Sequence, residues 1–207
     1  MDGLLLDTER IVVGCLQDTA EHYGYDDLHA TFMDMVGRRM QDSQKVLQAG
    51  LAGRMDALEF HNAAAERVRQ QLKNSVPVKT TVVELLENLQ AANIPCAVAS
   101  STRSKDVEHH LRNSGLRDYF ISITGGDQVE HGKPNPEIYL KAAASLQVDA
   151  ADCVVFEDSE PGTLAGLASG ATVVQVPDIR QPSEELKARG HIIATTVLEG
   201  ALKAGLL

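Results

Sequence analysis

The sequence predicts an α/β fold built on a parallel sheet and carrying a helical insert near its start. Three observations predict it. After Val76-Pro77, short apolar runs alternate with amphipathic segments of helical length, the pattern of βαβ units. Between Glu9 and about Asn74 the apolar residues recur only at helical spacing, with no strand signal. The polar residues of the second half collect just past the predicted strand ends, where open parallel sheets place their ligands. These observations assign residues 1–8 and 77–207 to an α/β core and residues 9–76 to the helical insert.

The chain opens on Met1-Asp2-Gly3, and Gly3 lets the backbone turn sharply and come close to a ligand. The apolar run Leu4 to Leu6 follows, then Asp7-Thr8, placed to cap a helix beginning near Glu9. Val12, Cys15, Leu16 and Thr19 mark one face of that helix, and Arg54 to Lys73 reads as a long polar helix, with turns at Tyr23 to His29 and Met35 to Gln41. Thr81 with Glu84 forms a capping box ahead of Val82, Leu85, Leu86 and Leu89. The predicted strands are Cys96 to Ala99, Ile121 to Thr124, Cys153 to Phe156 and Thr172 to Val176, with a weaker one at His191 to Ile193. Helices separate them: Ser104 to Asn113 stopped by Gly115, Pro136 to Leu146 started by Asn135-Pro136, and Gly162 to Ser169 stopped by Gly170. Gly162, Gly166 and Gly170 recur every four residues, which lets the last of these helices lie close on the sheet.

Length and composition narrow the function classes. A chain of 207 residues has ample material for a packed core and lies between one domain and two. With 19 basic against 29 acidic residues the net charge is −10, so a nucleic-acid role would work against the protein's own field. An anionic metabolite then needs a local positive site or a metal. Cys15, Cys96 and Cys153 form no C-x-x-C pair and fit buried thiols in a reducing cytosol. The uncharged run Gly162 to Pro177 is too short and too polar to span a bilayer, and there is no signal-peptide pattern. The expectation is a cytoplasmic protein with no nucleic-acid or membrane partner, a monomer or weak dimer. Neither a P-loop nor a G-x-G-x-x-G occurs, and the seven histidines show no paired ligand spacing.

The strand ends supply the candidate chemistry. Ser100-Ser101-Thr102 leaves the first strand and opens a helix, offering hydroxyls and backbone N–H groups suited to a phosphate, although ordinary helix caps have the same composition. Lys133, between Gly132 and Pro134, is framed as an anion anchor. Glu157 and Asp158 leave a buried strand side by side, and two such carboxylates call for a cation, Mg²⁺ being suited to an oxygen-rich cluster.

At these residues the chain resembles a family. MDGLLLDTE is similar to the tail of the first motif of the haloacid dehalogenase (HAD) superfamily in its β-phosphoglucomutase-like branch, D-x-D-G-[VTL]-[LI]-[IVL]-D-[ST]-E. The order D-G, S-S, K-P, E-D on successive strand ends matches that family's motifs over nearly the whole chain. The resemblance implies a Rossmann-like core with a helical cap domain, its first, central strand missing or truncated, so that the strands carrying Ser100 and Asp158 should not pair directly. It implies that Asp2 is general acid and then base and gives its main-chain carbonyl to Mg²⁺, that Ser100 and the Ser101 backbone hold the phosphoryl group, with Thr102 beside them, that Lys133 neutralises it, and that Asp158 and Glu157 hold the metal. The family's nucleophilic aspartate would fall immediately before Met1. The expectation is therefore a phosphatase of a small phosphorylated metabolite, whose 207-residue form is inactive because its start has been clipped or mis-assigned.

Within the family, Asp2-Gly3 points to phosphoryl transfer rather than halide displacement. The stretch Gly37-Arg38-Arg39-Met40-Gln41-Asp42-Ser43 places Met40 where mutases carry a phosphate-gripping Arg, and Val12 stands where they carry a His. Phosphatase is thereby favoured over phosphosugar mutase. Arg38 and Arg39 are either substrate contacts or solvated helix-end charges. A reading of a different class is a non-catalytic HAD-like protein that binds a phosphorylated ligand or a partner.

Overall fold

The computed structural model describes residues 1–36, 40–73 and 75–207. Four helices come first: α1 (Thr8–His22), α2 (His29–Met35), α3 (Met40–Leu51) and α4 (Ala57–Leu72). The α/β part then runs α5 (Val82–Ala91), β1 (Ala97–Ser100), α6 (Ser104–Asn113), β2 (Ser122–Gly125), α7 (Glu137–Ser145), β3 (Val154–Glu157), α8 (Glu160–Ala168), β4 (Thr172–Gln175), α9 (Glu184–Lys187), β5 (Ile192–Ile193) and α10 (Val197–Lys203).

Every ladder is parallel, and the sheet comes in two pieces. β1 pairs with β2, and β3 pairs with β4, which pairs with β5. Among the described residues β1 and β3 share no ladder. Strand alternation turns Val98 and Phe156 to one apolar cluster, shared with Leu85, Leu86 and Leu111 of α5 and α6. Ala99 and Val155 turn to a second cluster with Ile138 of α7 and Ala165 of α8. Both faces of the sheet are thus covered by helices, which is why its strands read as continuous apolar runs. Gly166 lies against Val173 and Val155, as its four-residue glycine spacing predicts.

The helical segment has an apolar centre of its own, formed by Leu16, Leu28, Leu47, Leu51 and the Phe32–Phe60 pair at 5.9 Å. The chain leaves the core and returns to it through one crossing, where Asp7 N–H donates to the Pro77 carbonyl at 2.9 Å and Lys79 N–H to the Leu5 carbonyl at 2.9 Å.

Two local expectations need correction. Thr81 precedes α5 at φ 65°, in the left-handed region, and makes no side-chain cap bond, so the capping box with Glu84 does not form. Asp7 likewise makes no side-chain cap bond to α1, and the Thr8 hydroxyl is turned toward Asp2.

Candidate active site

The site begins with the turn of residues 1–6. Gly3 adopts φ +73°, where a residue with a Cβ is strained, and that Cβ would also collide with Asp158 Oδ2. The Met1 carbonyl accepts from the N–H groups of Leu4, Leu5 and Leu6 at 3.3, 2.8 and 3.2 Å, and Gly3 N–H donates to the Leu6 carbonyl at 2.9 Å. Bonds this dense fix where Asp2 points. Its carboxylate accepts from Thr8 Oγ1 at 2.6 Å and from Thr102 Oγ1 at 2.9 Å.

Thr102 belongs to the loop that follows β1. Ser100 is buried and its Oγ accepts from Thr102 N–H at 3.2 Å, so the three residues Ser100, Ser101 and Thr102 form one compact turn beside Asp2. From the other side comes β3. Its last residue, Glu157, points into the protein: Oε1 accepts from Lys133 Nζ and from the Tyr139 hydroxyl, and Oε2 from Ser159 Oγ at 3.0 Å. A Cβ on Gly162 would strike this carboxylate, so the first of the four-spaced glycines serves the site as well as the packing. Burial alone would push the Glu157 carboxyl up, but the Lys133 ammonium, the Met1 amine and the Tyr139 hydroxyl outweigh it and hold the group at about 2. Lys133 Nζ also reaches the Ala99 carbonyl of β1 at 3.5 Å, so one cation spans the ends of β1 and β3.

Asp158, the next residue, faces the opposite way and lies against Gly3. Burial and the negative charges of Glu157 and Glu9 push its carboxyl well above the usual carboxylate range. Glu9, in the first turn of α1, behaves in the same way. Burial, then Asp178 and Asp2, raise its carboxyl to about 7, and its Oε2 is buried without a hydrogen-bond partner. The stretch Met1-Asp2-Gly3 therefore lies between the carboxyl ends of β1 and β3, touching Thr102 on one side and Asp158 on the other.

The family model for haloacid dehalogenase-like hydrolases matches residues 1–176. The chain belongs to that family. Among similar proteins, a phosphorylated carbohydrates phosphatase of Thermotoga maritima is 33% identical over 173 residues, covering 82% of this chain and 79% of the relative. A bifunctional riboflavin kinase/FMN phosphatase of Arabidopsis thaliana is 29% identical over 194 residues, and the chain spans 51% of its length. A solved HAD family hydrolase from Deinococcus radiodurans, with bound phosphate and sodium, superimposes with a TM-score of 0.79 at 30% identity, covering 100% of this chain and 94% of that one.

The structure brings Asp2, Ser100, Ser101, Thr102, Lys133, Glu157 and Asp158 to one edge of this HAD core. Arg38 and Arg39 lie outside the described residues. It also adds residues that sequence reasoning passed over. Tyr139 sat among apolar residues at helical spacing and gave no signal of its role on Glu157. Glu9 was part of the quoted motif and was read only as a helix start. Asp178 was findable, because it lies three residues past the end of β4 and so at the same edge as Asp158 after β3; its side chain is 3% exposed and pairs with Arg10 at 2.8 Å and Lys79 at 2.5 Å. Lys79 in turn donates to the Gly3 carbonyl at 2.9 Å, holding the turn from below. His110, one of the histidines without paired ligand spacing, has its Nδ1 4.0 Å from Asp2 Oδ1. Among the described residues no helix is long and apolar enough to cross a membrane.

Proposed function

We propose that this site hydrolyses small phosphomonoesters with Mg²⁺ through an aspartyl-phosphate. The observation that carries the reading is the position of Asp2-Gly3 between the ends of β1 and β3, which puts a carboxylate, a hydroxyl-rich turn, a buried lysine and a second carboxylate around one point. In the family pattern the phosphoryl group is accepted by an aspartate one residue ahead of Met1. With that carboxylate supplied, its oxygen bonds to phosphorus, the ester P–O bond breaks, and Asp2 gives its proton to the leaving oxygen. Asp2 then takes a proton from the water that attacks the acyl phosphate, releasing inorganic phosphate and restoring the aspartate. The Thr8 and Thr102 hydroxyls hold Asp2 in place for both steps. Ser100 and the Ser101 backbone would bind the phosphoryl oxygens, and Lys133 would offset their charge.

The donor set fits a hard cation. Glu9 Oε2 is buried without a hydrogen-bond donor, and both Glu9 and Asp158 are pushed up by burial first and by neighbouring negative charge second, a strain on the carboxylates that a cation would relieve. Mg²⁺ keeps several waters and uses one or two carboxylates together with substrate phosphate. Asp158 and the Asp2 carbonyl would hold it, with Glu157 supporting from behind. When bound it would neutralise charge on the phosphoryl oxygens.

Residues 9–76 would act as a cap that encloses small substrates and excludes macromolecules. The names of the Thermotoga and Arabidopsis relatives support a sugar phosphate or a metabolite of similar size, and the phosphate in the Deinococcus relative supports the anion site. A chain extended ahead of Met1 by a strand ending in Asp, assayed with Mg²⁺ on a panel of phosphorylated metabolites, should hydrolyse sugar phosphates or phosphoglycolate-like compounds. Activity confined to phosphopeptides or nucleic acid would overturn the proposal.

A further inference from the structure

We infer that Asp127, at the end of the segment Gly125-Gly126-Asp127 after β2, is a positioning residue that sets the phosphate-binding turn Ser100–Thr102 from the neighbouring strand. The inference rests on the reading of that turn as the phosphoryl subsite. Asp127 clamps the far end of the loop. Its Oδ1 accepts from Ser104 N–H at 2.6 Å and its Oδ2 from the Ser104 hydroxyl at 2.8 Å. These two donors, the Ser104 backbone first, hold the Asp127 carboxyl below the usual carboxylate range.

The two glycines complete the clamp. Gly126 N–H donates to the Thr102 carbonyl at 2.9 Å, and a Cβ on Gly126 would run into the Ser101 carbonyl oxygen. A Cβ on Gly125 would run into the Ser104 amide nitrogen. Neither glycine takes a positive φ among the chain's left-handed glycines, so close approach of backbone to backbone is what these positions require. The loop 101–104 is therefore hydrogen-bonded at Thr102 and Ser104, and closely packed at Ser101, by a segment of another strand. Thr102 is the residue whose hydroxyl holds Asp2, so the clamp reaches the acid/base carboxylate through one side chain.

Asp127 also takes the Ser104 N–H at the start of α6 for itself. A bound phosphate must therefore use the turn before the helix, Ser100 to Thr102, and not the first amide of α6. This gives the inference a sign that separates it from plain electrostatics. Removing an anion near an anion site, and freeing a helix-start N–H, should tighten phosphate binding if charge alone mattered. Loss of a positioning contact should weaken it.

The test is calorimetric titration of inorganic phosphate, with Mg²⁺ present, into the 207-residue chain and its variants. Phosphate binding by the parent that is lost in Ser100→Ala is the reference. Asp127→Ala should bind phosphate roughly 10- to 100-fold more weakly, the usual cost of losing a supporting contact or displacing a binding group by about an ångström. Asp127→Asn keeps an acceptor for Ser104 N–H and should stay within about threefold of the parent, a rescue that a charge effect would not give. Gly126→Ala moves the turn without changing charge and should also weaken binding, which keeps the test decisive if Asp127→Ala fails to fold. Unchanged or tighter binding in both folded Asp127→Ala and Gly126→Ala overturns the inference while leaving the phosphate site standing. Phosphate binding by the parent that Ser100→Ala leaves intact, or no binding at all, overturns the subsite reading and the inference with it.

Discussion

The 207-residue chain, assayed with Mg²⁺ on a generic phosphomonoester, is expected to show no turnover above background, and a chain carrying an apolar strand that ends in Asp directly ahead of Met1 is expected to be active. Asp2 cannot serve as the acceptor in its place. Its two oxygens are held by Thr8 and Thr102, at 2.6 and 2.9 Å, so the carboxylate cannot swing without breaking both bonds. Removing a nucleophile from a cooperating set costs on the order of 10³- to 10⁶-fold in turnover. The added strand has a place to go, because β1 and β3 are not paired with each other. Asp2→Asn in the longer chain should abolish the gain. Equal activity in the short and long chains would mean that the nucleophile lies elsewhere in the sequence.

Lys133→Ala is expected to destabilise the folded chain by about 3–5 kcal/mol, the cost of leaving a buried charge without its partner. The Lys133 and Glu157 side chains are 7% and 5% exposed, so solvent cannot take over the lysine's part. The same pair predicts an acid limb. Glu157 is held at about 2 in the folded chain against 4.5 unfolded. Its contribution is therefore fully present above about pH 4.5 and is lost as the pH falls toward 2, an effect on the order of 3 kcal/mol. Urea unfolding from pH 7 down to pH 2 should show this limb in the parent and a flattened one in Lys133→Ala. Replacing both partners, Lys133→Met with Glu157→Gln, should recover much of the stability, since the uncompensated charge is then gone. A single variant within about 1 kcal/mol of the parent at pH 7 would mean that the buried pair does not hold the fold in this way.

Much of this was legible before the structure. The five strands fall within one residue of their expected spans at every boundary, because a sheet covered on both faces writes continuous apolar runs between Gly and Pro stops. Helix α6 has the predicted ends, Ser104 and Asn113, with Gly115 at φ +73° after it. The strand-end rule located Ser100, Lys133 and the Glu157-Asp158 pair. It could not say that those two adjacent carboxylates part company, one buried on Lys133 and Tyr139 and the other against Gly3, since that depends on which strand face each helix covers. Thr81 and Asp7 misled because cap composition fixes neither the backbone angle of the capping residue, φ 65° at Thr81, nor the direction of its side chain. Tyr139, Glu9 and His110 were invisible for a related reason. Their part is set by contacts between segments far apart in sequence, whereas local pattern reports only neighbours.

If the carboxylates beside Gly3 and the turn at Ser100 form one site for a metal and a phosphoryl group, calorimetric titration of Mg²⁺ into the 207-residue chain, with and without inorganic phosphate, should show the two ligands coupled. Each ligand should strengthen the other's binding by the same factor, as linkage requires of ligands that share a site, and Asp158→Asn should remove the coupling. Mg²⁺ and phosphate that bind independently of one another, or a coupling that Asp158→Asn leaves intact, would contradict a shared site.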